Sequence, residues 1–266
     1  MKANLRIWVL ALAWLASTTF LPAQQIISDR QVFEETKAKA EKGDAASQAA
    51  LGSLYILGQG TAKDEAEAVK WYRKAAEQGN AEGQWLLGGA YEFGKGVARD
   101  NVEAAKWFRK AAEQGNAGGQ EGLGMAYLEG DGVMKDTAEA VKWLRKAAEQ
   151  DFAVAQYALG SLYWAGEGVA KDSAEAVKWL RKAAEQGNAD AQACLGSLYW
   201  AGDGVPKDDI EGYKWTKLAA DQSDESARKQ LGAIQGHMTK AQVTEAERRS
   251  REFTPRKKAE SSTPKL

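Results

Sequence analysis

The stretch AEAVKWYRKAAEQGN at residues 66–80 returns as VEAAKWFRKAAEQGN at 102–116, AEAVKWLRKAAEQDF at 138–152 and AEAVKWLRKAAEQGN at 174–188, and in blurred form as IEGYKWTKLAADQSD at 210–224. Its landmark residues Trp71, Trp107, Trp143, Trp179 and Trp215 recur every 36 residues, with no insertion or deletion. A constant period of this size marks a protein built by stacking, in which each unit buries its apolar face only against its neighbours. Architecture is therefore settled before any residue chemistry is weighed.

Each unit reads as two helices. The second opens at Asp64, Asp100, Asp136, Asp172 or Asp208, with Glu67, Glu103, Glu139, Glu175 or Glu211 three residues later. This spacing predicts a capping box, in which the aspartate accepts an orphan amide and the glutamate reaches back to the cap. The helix stops at Gly79, Gly115 or Gly187, and the adjoining Asn80, Asn116 or Asn188 can cap the next helix. So short a turn forces antiparallel neighbours. Unit four departs, with Asp151 and Phe152 in these places, and its junction is expected to be the loosest. The first helix carries Gln-x-x-Leu-Gly-x-x-Tyr, as in Gln84, Leu87, Gly88 and Tyr91. Glycine inside a helix costs about 1 kcal/mol against alanine, so its repetition implies a repeated close helix approach. A Gly-x-Gly pair between the helices, such as Gly58 and Gly60, lacks the third glycine and preceding strand of a dinucleotide loop, and reads as a helix stop and tight turn.

These residues closely resemble the Sel-1-like repeat, a relative of the tetratricopeptide repeat, with the pattern A-x-x-x-L-G-x-x-Y-x-x-G-x-G-V-x-x-D-x-x-x-A-x-x-W-[YF]-x-K-A-A-x-Q-G. Five consecutive matches cover residues 44–223. The resemblance implies an all-α fold, a right-handed superhelical α/α solenoid of paired antiparallel helices, and a role as an adaptor or scaffold that holds peptides or partner proteins. Residues 24–43 read as an N-terminal capping helix. Residues 224–253 read as C-terminal capping helices: Leu231 and Gly232 keep the 36-residue phase, and Thr239 with Gln242 opens a last charged helix. Some relatives carry a cysteine pair in each repeat, and binding of penicillin-like compounds is described for members of that subset. Cys194 is the single cysteine here, so that property is not carried over; its counterparts Ala50, Leu86, Gly122 and Ala158 mark it as buried filler.

At the N-terminus, Lys2 and Arg6 precede the apolar run IWVLALAWLA, which reads as a secretory signal over residues 1–23, with a retained membrane anchor as the alternative. Export to the periplasm or the medium is the expectation, with no membrane span once the signal is cleaved. The whole chain carries 36 basic and 37 acidic residues; from residue 239 through the closing PRKKAESSTPKL stretch lie eight basic against four acidic, so with Lys2 and Arg6 set aside the repeat body has a net charge of −7. The repeat body is thus acidic, which argues against nucleic acid as its partner. Residues 254–266 read as a disordered basic tail.

Repeats also allow units to be compared with one another. Residues i, i+4 and i+7 of the first helix give the triplets Ala49/Ser53/Ile56, Trp85/Gly89/Glu92, Glu121/Met125/Leu128, Tyr157/Ser161/Trp164 and Ala193/Ser197/Trp200. A place that holds a carboxylate in one unit is expected to be accessible in the others, so Glu92 and Glu121 mark an accessible stripe. Trp85, Glu92, Tyr157, Trp164 and Trp200 on that stripe are the candidate ligand-binding residues. Since the resemblance places first helices on the concave face, the stripe reads as a groove for a protein, a peptide or a cell-wall fragment. Packing of these side chains against the next unit is the other reading. No nucleophile–base pair or metal-ligand cluster recurs, and His237 is the only histidine, so neither an enzyme nor a cofactor site is expected. A structural spacer without a dedicated ligand is the competing function.

Overall fold

Residues 27–222 and 224–256 are described by the computed structural model; the signal read over residues 1–23 and most of the tail read over 254–266 lie outside them. Thirteen helices and no strand occur among the described residues. They fall into two compact units, divided in sequence between Asp100 and Asn101. The first holds α1 (27–41), α2 (Ala45–Leu57), α3 (Glu65–Glu77) and α4 (Ala81–Phe93). The second holds α5 (Asn101–Glu113), α6 (Ala117–Glu129), α7 (Thr137–Glu149), α8 (Ala153–Ala165), α9 (Ser173–Glu185), α10 (Ala189–Ala201), α11 (Asp209–Asp221), α12 (Glu225–Gln235) and α13 (Lys240–Glu252). Within each unit, consecutive helices pair and the pairs stack, which is the α/α solenoid plan implied by the period.

The caps form only half as expected. Asp64, Asp136 and Asp172 each accept the amide three residues on, at 2.9 Å. Their own amides, however, donate to the carbonyls of Tyr55, Tyr127 and Tyr163, so the returning glutamate finds no free donor. Glu67, Glu139 and Glu175 turn instead to Lys70, Lys142 and Lys178. Thr239 and Gln242 do form the reciprocal box at the start of α13. There Arg248 and Arg249 both engage Glu245 and hold its carboxyl down to about 2.

Asn80, Asn116 and Asn188 cap the first-type helices as the turn sequence predicts, each accepting an amide at 2.7 Å. In unit four, Asp151 enters the left-handed region with φ 59°, and Phe152 makes no side-chain cap bond. That junction is closed by other means. Gln156 donates to the Asp151 carboxylate at 3.1 Å, and the Phe152 ring packs against the cluster of Leu144, Leu159 and Trp179.

The helix glycines sit where close approach requires them. A Cβ at Gly124 or Gly160 would lie 2.8 Å from Cγ of Leu144 or Leu180 on the paired helix, so the lost propensity is exchanged for packing. Between successive repeats within each unit, the join is a ladder of glutamine pairs, one member buried and the other nearer the surface. Gln156 donates to Ala148 O at 3.0 Å and accepts from Gln186 Nε2 at 2.8 Å; Gln48 with Gln78, Gln120 with Gln150, and Gln192 with Gln222 repeat the step. Each rung satisfies a polar group that burial would otherwise leave costly. Apolar contact follows the same rule, since Trp179 joins the cluster of α7 and α8 and Trp215 joins that of α9 and α10. The arginine on each second helix reaches the first helix of the next repeat: Arg73 and Arg109 donate to the hydroxyls of Tyr91 and Tyr127 at 2.7 Å, and Arg145 and Arg181 to those of Tyr163 and Tyr199.

At the C-terminal end, Tyr213, Ile234 and Ala246 form a small cluster that seats α12 and α13 on α11. Beyond α13 the chain turns back, and Phe253 meets Trp215 edge-on at 5.4 Å between ring centroids.

Candidate functional site

Of the predicted stripe, Trp85 and Glu92 lie on α4 in the first unit, and both are half-buried. Tyr157, Trp164 and Trp200 lie on α8 and α10 in the second. Their surroundings differ. Tyr157 is half-buried and packs against the cluster of α9, α10 and Trp215, beside Cys194. Burial pushes both the Tyr157 phenol and the Cys194 thiol above their ordinary values, so neither is a poised nucleophile. Trp200 is also half-buried, against Tyr213 and Ile234, with the His237 ring 6.3 Å away and tilted. Together with Ala201, Lys207 and His237 it lines an open depression of about 240 Å³.

Trp164 is the exception, with 50% of its surface exposed. It is nonetheless held: its indole Nε1 donates to Asp203 Oδ2 at 3.0 Å, across to the loop that follows α10. Hydrogen bonds from Ser173 and then Trp164 hold the Asp203 carboxyl below its ordinary value. A fixed, solvent-facing indole with a charge-assisted anchor is a group preorganised for contact, because little side-chain freedom remains to be lost on binding. Sequence reasoning found the indole and missed its anchor, since Asp203 lies in a loop and the pair spans 39 residues.

The recurrent indoles are a different population. Trp179 and Trp215 are each 4% exposed, and lysines lie over the faces of Trp71, Trp107 and Trp143 at 3.9, 3.9 and 4.0 Å. No group of histidine, cysteine or acidic side chains that could hold a metal occurs among the described residues, and no described helix is long and apolar enough to cross a membrane.

The Sel1 repeat pattern matches five consecutive segments, residues 45–80, 81–116, 117–152, 153–188 and 189–224. The chain belongs to the Sel1 repeat family. Sel1 repeats generally serve as protein-interaction scaffolds rather than enzymes. Among solved structures, the chain is similar to a protective antigen present in uropathogenic Escherichia coli strains, which displays the same repeat fold: 39% identity over 83% of this chain and 48% of that one, TM-score 0.71. A Sel1 repeat protein from Oxalobacter formigenes shares 34% identity over 76% of this chain and 58% of its own, TM-score 0.68. This Sel1 repeat chain thus spans about half the length of these relatives. An immunity protein of Pseudomonas aeruginosa, at 22% identity and TM-score 0.51, shares the fold alone. Comparison with curated proteins returns no match.

Proposed function

We propose that this Sel1 repeat chain is an exported scaffold that holds a protein or peptide segment on the first-helix stripe of its repeats. The observation that carries the reading is Trp164, an indole left half exposed and pinned by Asp203 in a molecule whose recurrent indoles are all buried or half-buried. Rigid aromatic side chains of this kind dominate binding surfaces because they bury much area for few rotatable bonds. Tyr157 and Trp200 share its stripe within the second unit, and these rings with the Asp203 carboxylate suit a segment with apolar and basic side chains, or a cell-wall sugar stacked on an indole; Trp85 and Glu92 hold the equivalent places on α4 of the first unit. The signal-like N-terminus supports export, as does likeness to a protein described as a protective antigen. A spacer without a groove ligand is the second reading, favoured by the packing of Tyr157 and Trp200 into inter-repeat clusters.

The test compares wild type with a Trp164→Ala/Trp200→Ala chain in affinity capture from the native envelope and secreted fraction. Partners retained by the wild type and lost by the double variant are expected. Identical captures from both chains would leave the stripe without a binding role.

A further inference from the structure

The described chain does not stop at its last helix. Residues 253–256 continue as an extended strap, with Phe253 at φ −67°, ψ 127°, laid across two second-type helices. Phe253 sets its ring edge-on to Trp215 of α11. Pro255 lies over the glycine turn at Gly187. The Arg256 amide donates to Glu185 O at 2.8 Å, and its guanidinium lies 3.3 Å from the Glu185 carboxylate at the end of α9. A main-chain hydrogen bond combined with side chains in separate seats is how an extended peptide is recognised.

We propose that this step, formed by the Glu185–Gly187 turn and the Trp215 indole, is a docking site for an extended protein segment of the pattern aromatic-x-proline-basic, and that the chain's own Phe253–Arg256 holds it closed in cis. The neighbouring repeats support a seat that takes an aromatic ring. One unit earlier, Phe152 packs against the cluster that contains Trp179, and that indole is as fully covered as Trp215. Before Trp143 the corresponding turn residue is Asn116, and Trp143 is left half-buried with its Nε1 lacking a partner. An indole in this register is closed over where an aromatic ring reaches it. At Trp215 that ring arrives from the far end of the chain, so it can be exchanged for another. The strap is lightly held, since the Arg256 side chain is 76% exposed and Phe253 only half-buried. Its basic character answers the Glu185 carboxylate, and Lys257 and Lys258 follow directly. The site lies on second helices, whereas Trp164 and Trp200 lie on first helices, so it stands or falls separately from the stripe.

The probe is a fluorescent peptide copying residues 251–258, REFTPRKK, titrated against two full-length chains: the wild type and a strap-released Phe253→Ala/Arg256→Ala variant. Because the tethered strap competes at high effective concentration, the released chain is expected to bind at least about tenfold more tightly than the wild type. Adding Glu185→Lys to it, or Phe→Ala to the peptide, should remove that binding. Should the released chain lose its helical signal, the wild type supplies the second measurement: excess peptide is expected to speed hydrogen exchange at the Arg256 amide by displacing the strap. Equal affinity for both folded chains, binding unaffected by Glu185→Lys, or an Arg256 amide whose exchange ignores saturating peptide would overturn the proposal.

Discussion

Trp179 and Trp164 carry the same side chain on paired helices of one repeat, yet the first is 4% exposed and the second 50%. Trp179 belongs to a row that recurs in every unit and fills the cluster of the unit before it. Trp164 belongs to a register whose occupants change from unit to unit, and half of its surface stays in solvent while its nitrogen is bonded to Asp203. In a repeat protein, then, recurrence marks framework, and variation at a fixed register marks freedom from it. Trp200 shows the limit of that rule, because it shares the register of Trp164 but is partly covered by elements that occur once, the α12–α13 cap.

The comparison breaks if the two indoles prove equally important to the fold. Trp179→Ala is expected to have the largest effect, a loss of about 3–5 kcal/mol from the cavity it leaves, read as a lower denaturant midpoint. Gln156→Leu comes next, since it removes a buried amide that bonds Ala148 O, the Asp151 carboxylate and the Gln186 side chain; about 1–3 kcal/mol is expected. Hydrogen exchange should then rise on both sides of that junction, and an unaltered exchange pattern would remove the ladder from the list of joints. Trp164→Ala should be mildest, under about 1 kcal/mol, because half its ring is already wet. An equal loss for Trp164→Ala and Trp179→Ala would make the stripe a packing surface.

A pH titration sharpens the same contrast. The Asp203 carboxyl is held below its ordinary 3.8, so the anchor of Trp164 contributes fully above that value and is lost as pH falls through the lower folded value. The Trp164 indole N–H resonance should therefore stay fixed from neutral pH down to about 4 and shift only in stronger acid. A shift near pH 5 would mean that Asp203 does not hold the ring.

Much of the framework could be read in advance because every rule was stated several times. The aspartate caps, the asparagine caps, the helix glycines and the terminal capping box all stand where their spacing placed them. The glutamate side chains were misassigned for a non-local reason: the Tyr55 carbonyl and its counterparts take the cap amide first, and no local pattern reveals that. The bond from Arg73 to Tyr91, 18 residues away on the next helix, is non-local in the same way. At the candidate site, the indoles were legible as members of a variable register. How far each is covered was not, since that depends on Asp203 and on the singular C-terminal cap.

The glutamine ladder carries one more consequence. Every rung reaches 30 residues along the chain, from one helix pair to the next and no farther. Contacts so local keep contact order low, so folding can start at more than one unit and spread outward. They also leave length unspecified. Duplicating a 36-residue segment in the interior would extend the ladder by one rung and ask nothing new of any existing residue, which makes repeat number an easily altered property in evolution and in design.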